Sequence, residues 1–254
     1  MTGQDTQTAQ KRKTACIVGA GEFTDRGIWD PYDLVIAADG GLSALTGAGI
    51  HPDVIVGDFD SLGYVPDNTD SEPAAEGGER TDSNRTDSNR TDSNRTGSNR
   101  VTDAPEIIRL PVEKDDTDMA AACRIAWERG CTALRIYGGS GDRPDHFLAN
   151  LQLAAAYSRK DGEVRMITPG CTVFAITDGS ICLESGPGVT FSVFCHSDHA
   201  DGVTIEGDVR YSLKEAQLTN IWALGVSNCM TGTAARITVR SGTLLVFLYE
   251  TDRV

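Results

Sequence analysis

In the first part of the chain, short β-branched apolar runs alternate with stretches whose apolar residues recur every three or four positions. The runs Ala15–Val18, Leu34–Ala37, Val54–Val56, Ile107–Leu110, Leu134–Tyr137 and Val164–Thr168 predict strands. Leu42–Thr46, Met119–Arg129 and His146–Arg159 carry the helical period. Such alternation predicts an α/β unit with a mostly parallel sheet covered by helices. From Cys171 onward the pattern changes to short alternating segments, TVFAI, VTFSVF, RITV and TLLVFLY, separated by Gly, Asp and Ser. That predicts a C-terminal antiparallel all-β part, a sandwich or roll. The expected organisation is a disordered tail over 1–13, an α/β domain over 14–161 and a β domain over 162–254.

The segment Arg80–Arg100 fits neither period: after Arg80 it reads TDSNR three times and then TGSNR. It has almost nothing to bury, so residues 64–105 are expected to form a disordered insertion in a surface loop, with near-perfect copies that point to duplication. Lengthening such a loop adds little closure entropy.

Composition narrows the function. A net charge of −14 argues against nucleic-acid and anionic-membrane surfaces. It leaves phosphate substrates open, because acids can hold a cation that holds the phosphate. No apolar run approaches the roughly 18 residues of a membrane span. The polar start MTGQDTQTAQKRK lacks the apolar region of a secretory signal. Seven cysteines form no CxxC pair and are expected as reduced thiols in a cytoplasmic protein.

The candidate chemistry sits where predicted strands end. VIVGDFDS closes a strand with Asp58 and Asp60. In an extended segment they share a side while Phe59 faces the core. Two like charges so placed call for a neutralising partner, and Mg²⁺ takes one or two carboxylates plus phosphate oxygens. A solvated turn is the alternative. KDDTD, Lys114 to Asp118, follows another strand and opens a helix. Asp116 or Thr117 suits its N-cap, and Asp118 is the candidate third acid for a metal set with Asp58 and Asp60. YGGSGDRPDH runs from a strand through Gly139 into a helix, where backbone N–H groups and Arg143 can hold an anion. ADGG places Asp39, Gly40 and Gly41 at a further strand end. VGAG lacks the third glycine of a dinucleotide fingerprint and is the weakest motif. Cys195, His196 and His199 lack helical metal-ligand spacing, which argues against a zinc site there. Strand ends of one sheet converge on one edge, so together these motifs imply a Mg²⁺–polyphosphate site.

ADGG, GDFDS, KDDTD, GGSGDRPDHFLAN and the late Trp222…Gly225-Val226-Ser227-Asn228 occur in the order that resembles thiamine pyrophosphokinases. The resemblance spans about Cys16 to Tyr249 without the insertion, which departs from the compact form of the family. It implies transfer of pyrophosphate from ATP to the hydroxyethyl group of thiamine, with Mg²⁺, in a homodimer with thiamine near the subunit interface. By motif position it implies Asp58, Asp60 and Asp118 as Mg²⁺ ligands. Lys114, Thr117 and Arg143 follow as phosphate contacts, with Asp39 nearby. Asp145, Trp222, Ser227 and Asn228 follow on the thiamine side, with Asp145 also a candidate base. Alternatives are a pyrophosphokinase for another alcohol such as a pterin, and a non-catalytic thiamine or nucleotide binder.

Overall fold

The computed structural model describes residues 11–59, 104–111 and 115–250. Asp60, Lys114 and the repeat insertion up to residue 103 lie outside the described residues. Six strands make the parallel part: β1 (Lys13–Val18), β2 (Leu34–Ala38), β3 (Val54–Gly57), β4 (Glu106–Arg109), β5 (Cys131–Tyr137) and β6 (Glu163–Ile167). Lys13, assigned above to the tail, is the first residue of β1, and Arg12 bonds Asp161. Three helices accompany these strands: α1 (Gly41–Gly47), α2 (Asp118–Glu128) and α3 (Pro144–Ser158). Thr117 caps α2, its hydroxyl accepting from Ala120 N–H at 3.1 Å. Helix α3 starts two residues earlier than its apolar period, because Pro144 fits the first turn and brings Asp145 into it.

Strand alternation divides the core. Ala15 and Ile17 face one side of the sheet, packed with α2 and α3 residues such as Ala122, Ile125, Leu151 and Ala155. Cys16 and Val18 face the other side with Leu45 of α1, Ile28 and Phe59. The strand order is β6-β5-β1-β2-β3-β4, all neighbours parallel. Connections therefore leave β1 in opposite directions toward β2 and β5. That is a topological switch point, where α/β sheets open a crevice at their carboxyl edge.

Polarity changes after β6, which pairs antiparallel with β7 (Cys171–Thr177). The hydrogen-bonded path continues through β13 (Thr243–Tyr249), β9 (Thr190–Cys195), β12 (Gly225–Thr238), β10 (His199–Val209) and β11 (Leu213–Thr219), with β8 (Ser180–Glu184) beside β12. Among the described residues the result is one mixed sheet of thirteen strands, so the antiparallel half extends the parallel one through β6 and β7. The first part of β12 pairs with β9 and the second with β10 and β8. These strands enclose a further core around Phe191, Ile205, Ile237 and Val246. Cys16, Cys123, Cys131 and Cys171 are buried free thiols, while Cys182 is exposed. Among the described residues, no helix is long and apolar enough to cross a membrane.

Candidate active site

A cleft of about 830 Å³ opens at the carboxyl edge of the parallel strands. It receives Gly19, Gly21 and Glu22 after β1, Asp39 after β2, and Asp58 after β3. Thr117 and Asp118 enter from the start of α2, and Gly138 to Arg143 from the loop after β5. Helix α3 adds His146 and Asn150. The strand ends singled out in the sequence thus meet in one place.

The glycine turns form the floor. Gly19 N–H donates to Tyr137 O at 2.9 Å, Gly21 N–H to Gly138 O at 3.0 Å, and Glu22 N–H to Ser140 O at 2.7 Å. The buried Asn150 amide donates to Gly139 O at 2.9 Å. Four successive carbonyls, 137 to 140, are thereby turned onto protein donors. Gly138 takes a left-handed φ of 61°. A Cβ on Gly21 would overlap the Ser140 carbonyl, so the approach of the two turns requires glycine. VGAG therefore serves this cleft through its packing on the β5 loop.

The acids follow. Asp39 has a left-handed φ of 46°, and its N–H donates to Val56 O at 2.8 Å, tying β2 to β3. Its side chain is 7% exposed, and its Oδ1 is buried without a hydrogen-bond partner among the described residues. The Ser140 hydroxyl oxygen is in the same condition. Asp58 follows directly on β3. Phe59 is buried as expected, but it has a φ of 64°, so the segment is not extended there and the period-two argument stops at Gly57. Arg143 forks onto Asp145 at 2.9 and 2.7 Å. The guanidinium holds the Asp145 carboxyl well below the usual carboxylate range, mainly through this hydrogen bonding.

Other expected residues lie elsewhere. Gly40 and Gly41 pack behind the cleft, Gly40 against Ala20 and Gly41 against the Val18 carbonyl. Trp222, 72% exposed, Ser227 and Asn228 sit around the start of β12 and do not line this cleft. Asn228 is buried, with its amide oxygen accepting from Tyr211 N–H at 3.0 Å and its NH₂ donating to Tyr211 O at 2.6 Å. Among the described residues no group of three His, Cys, Asp or Glu is placed to hold a metal, and Asp60 is not among them. Sequence reasoning passed over Ser140, Asn150 and Glu22. The first two lie inside the quoted GGSGDRPDHFLAN stretch, but only through-space contacts single them out.

A switch-point crevice floored by glycine turns and walled by carboxylates lies where an α/β enzyme binds its ligand. The family model described as "Thiamin pyrophosphokinase, catalytic domain" matches residues 26–166, more than half of the 254 residues. The chain belongs to the thiamin pyrophosphokinase family, whose members are pyrophosphotransferases. A thiamine pyrophosphokinase of Bacillus subtilis (strain 168) is 25% identical over 227 residues, covering 89% of this chain and 91% of that protein. Solved structures agree in fold. The crystal structure of thiamine pyrophosphokinase from Bacillus subtilis matches with a TM-score of 0.70 at 22% identity, covering 94% of this chain and 100% of that one. Thiamin pyrophosphokinase from Candida albicans matches with a TM-score of 0.65 at 13% identity, covering 94% and 90%.

Proposed function

We propose that this chain transfers an intact pyrophosphoryl group from ATP to the hydroxyl of thiamine, giving thiamine diphosphate and AMP. The observation that carries the proposal is the convergence of Asp39, Asp58, Thr117, Asp118 and the Gly139–Arg143 loop on one switch-point cleft, in a chain of this family. The donor set fits Mg²⁺: Asp58 and Asp118 line the cleft, and Asp39 brings a buried carboxylate oxygen without a donor. Asp58, Asp60 and Asp118 would hold the ion. Bound there, Mg²⁺ supplies charge neutralisation for the polyphosphate.

The chain's own residues do the rest. The amide edge of the Gly138–Gly141 turn, Thr117 and Arg143 hold phosphate oxygens, and Lys114 is assigned to them by its place in the KDDTD motif. Fixing the phosphates in line with the attacking alcohol is the main catalytic demand in such transfers. The alcohol oxygen bonds to the β-phosphorus, the bond from that phosphorus to the oxygen bridging it to the α-phosphorus breaks, and AMP departs with the bond's electrons. The alcohol's proton passes to a carboxylate. Asp145 or one of the metal-holding aspartates takes that role, and Asp145 also orients Arg143 through their forked contact. Trp222 and Ser227 would meet thiamine from a second copy of the chain, in a homodimer with the site at the subunit interface, while the buried Asn228, bonded to the Tyr211 backbone, supports that edge from beneath. In this division residues 14–161 bind ATP and residues 162–254 complete the thiamine site. We assign the work to the cytoplasm, where the free thiols stay reduced.

The test is to incubate ATP and thiamine with Mg²⁺, then with EDTA, and to quantify AMP and thiamine diphosphate. Equal amounts of both products, abolished by EDTA, are expected. A folded protein that makes neither product refutes the proposal, and turnover of a pterin alcohol alone replaces the acceptor.

A further inference from the structure

The segment between β1 and β2 forms neither helix nor strand, and it is fastened at two levels. At the cleft, the amides of Gly19, Gly21 and Glu22 bond to the β5 loop. Further along, the half-buried Arg26 reaches into the junction between the two halves of the sheet. Its Nη2 donates to Thr168 O and to Thr172 Oγ1, each at 3.1 Å, and its Nη1 pairs with the Glu250 carboxylate. These three acceptors come from both ends of the C-terminal half. Thr168 and Thr172 border the start of β7, and Glu250 follows β13.

The acceptors are held by bonds of their own. The Thr168 hydroxyl donates to Cys171 O at 2.9 Å and accepts from Cys171 N–H at 3.1 Å. Glu250 N–H donates to Gly170 O at 3.0 Å, which ties it to the same turn. A guanidinium suits such a set, because its planar fork presents several donors in fixed directions. Tyr137 carries the constraint back to the cleft. It ends β5 and is buried. Its carbonyl accepts from Gly19 N–H at 2.9 Å, and its hydroxyl donates to Arg26 O at 3.0 Å. Residues 19–26 thus span one tyrosine side chain, with the Phe23 ring 6.2 Å from its ring and Glu22 lining the cleft.

We propose that Arg26 is a positioning residue for the ATP cleft: its fork into Thr168, Thr172 and Glu250 holds residues 19–26 as a strap across Tyr137, and the strap fixes the Gly19–Glu22 turn against the β5 loop. This rests on the function proposed above. Arg26 acts through Tyr137 and the turn, and it fastens the ATP side of the chain to the strands that begin and end its C-terminal half. The β5 loop would contact the phosphates equally in the ground and transition states, so its misplacement falls on ATP binding. The thiamine side is carried by β12, whose ladder partners are β8, β9 and β10, away from this junction.

The test compares Arg26→Gln and Thr172→Val with the unmodified full chain by amide hydrogen exchange without ligands, and by steady-state kinetics. In Arg26→Gln the amides of Gly19, Gly21 and Glu22 should lose protection, while the Ala121 amide, bonded to Thr117 O at 2.9 Å in α2, keeps it. Its kcat/KM for ATP should fall roughly 10–100-fold, within what a misplacement of about 1 Å costs, through KM for ATP and with KM for thiamine unchanged. Thr172→Val removes one acceptor of the fork. It should act in the same direction, less strongly, and add nothing to Arg26→Gln in the double variant. Arg129→Gln is the control: it breaks an ion pair of similar exposure, Arg129 with Glu106 at 2.6 Å, and should leave both readouts unchanged. Protection and KM for ATP unchanged in both test variants overturn the proposal. So does loss of protection in Arg26→Gln that is uniform across residues 19–22 and α2, which would make Arg26 a contributor to global stability alone. If the unmodified chain forms thiamine diphosphate while Arg26→Gln keeps its protection and KM, this inference fails and the function stands. If the chain forms no product while the Gly19–Glu22 amides lose protection, the function fails and the strap stands.

Discussion

Replacing Gly21 with alanine tests a close approach on which the floor of the cleft depends. The added Cβ would lie 2.7 Å from Gly138 O and nearer still to Ser140 O, against ordinary contacts of 3.4–4 Å. Both obstacles are backbone atoms, so no side chain can swing away. The β5 loop must retreat by about 0.7 Å at Gly138 and further at Ser140 to reach ordinary contact. That movement strains the bonds from Gly21 N–H to Gly138 O and from Glu22 N–H to Ser140 O, 3.0 and 2.7 Å long. Overpacking costs about 1–3 kcal/mol and each lost hydrogen bond about 1 kcal/mol, so a loss of about 3 kcal/mol is expected. For a domain of this size that lowers Tm by roughly 6–12 °C. The loop also carries the amides proposed above to hold phosphate, and a displacement near 1 Å at such a site costs on the order of 10²-fold in rate. The assay pairs thermal unfolding with kcat/KM for ATP, measured well below the variant's Tm. Gly47→Ala is the control: at the end of α1 nothing lies within 4 Å of the added Cβ. It should be neutral or stabilise by about 0.5–1 kcal/mol. A Gly21→Ala protein that melts with the control and keeps its kcat/KM would refute the packing of the two turns described above.

Two further outcomes follow from single contacts. Thr117→Ala removes the N-cap bond to Ala120 and should cost about 1 kcal/mol, or roughly 2–4 °C in Tm, with Thr117→Ser restoring it; an unchanged Tm would mean that α2 does not depend on this cap. Burial raises the Tyr137 hydroxyl to about 12, against about 10 in an unfolded chain, and it lies 3.0 Å from the Tyr32 hydroxyl and from Arg26 O. The folded state then binds the proton more tightly, so this contribution is complete below pH ~10 and lost as pH rises toward 12. Urea midpoints should fall above pH ~10 in the unmodified chain and fall less steeply in Tyr137→Phe, and parallel profiles would contradict this assignment.

The sites most legible in the sequence are those where the chemistry is local. A β-branched run ending at Gly57 and followed by acids had to be a strand end, whatever lay beside it. KDDTD ahead of an apolar period similarly announced a capped helix, and Thr117 is that cap. Buried parallel strands are near-continuous apolar runs, and their ends are where polar residues can first appear. The order of those ends in space then follows from right-handed crossovers, which bring them to one edge.

What stayed hidden depends on approach between segments distant in sequence. Gly19 and Gly21 looked like a weak dinucleotide fingerprint because nothing nearby in the chain shows that the loop 120 residues later packs on them. The left-handed turns at Asp39 and Phe59 were equally hidden, since neither residue advertises positive φ as glycine does. Phe59 takes that conformation because its ring is buried with Cys16, Val18 and Leu45 on the α1 side of the sheet, and burial of an aromatic outweighs a local backbone cost of about 1–3 kcal/mol. The same competition governs Asp39, where the backbone bond to Val56 and the room above Gly57 hold a carboxylate over the acidic end of β3. In both cases tertiary packing overrides a local preference beside the cleft, which is where strain is retained when a ligand-binding geometry requires it. The long β12 shows the opposite situation. Its residues alternate poorly because its first part serves β9 and its second part serves β10 and β8, so no single period describes a strand with two sets of neighbours.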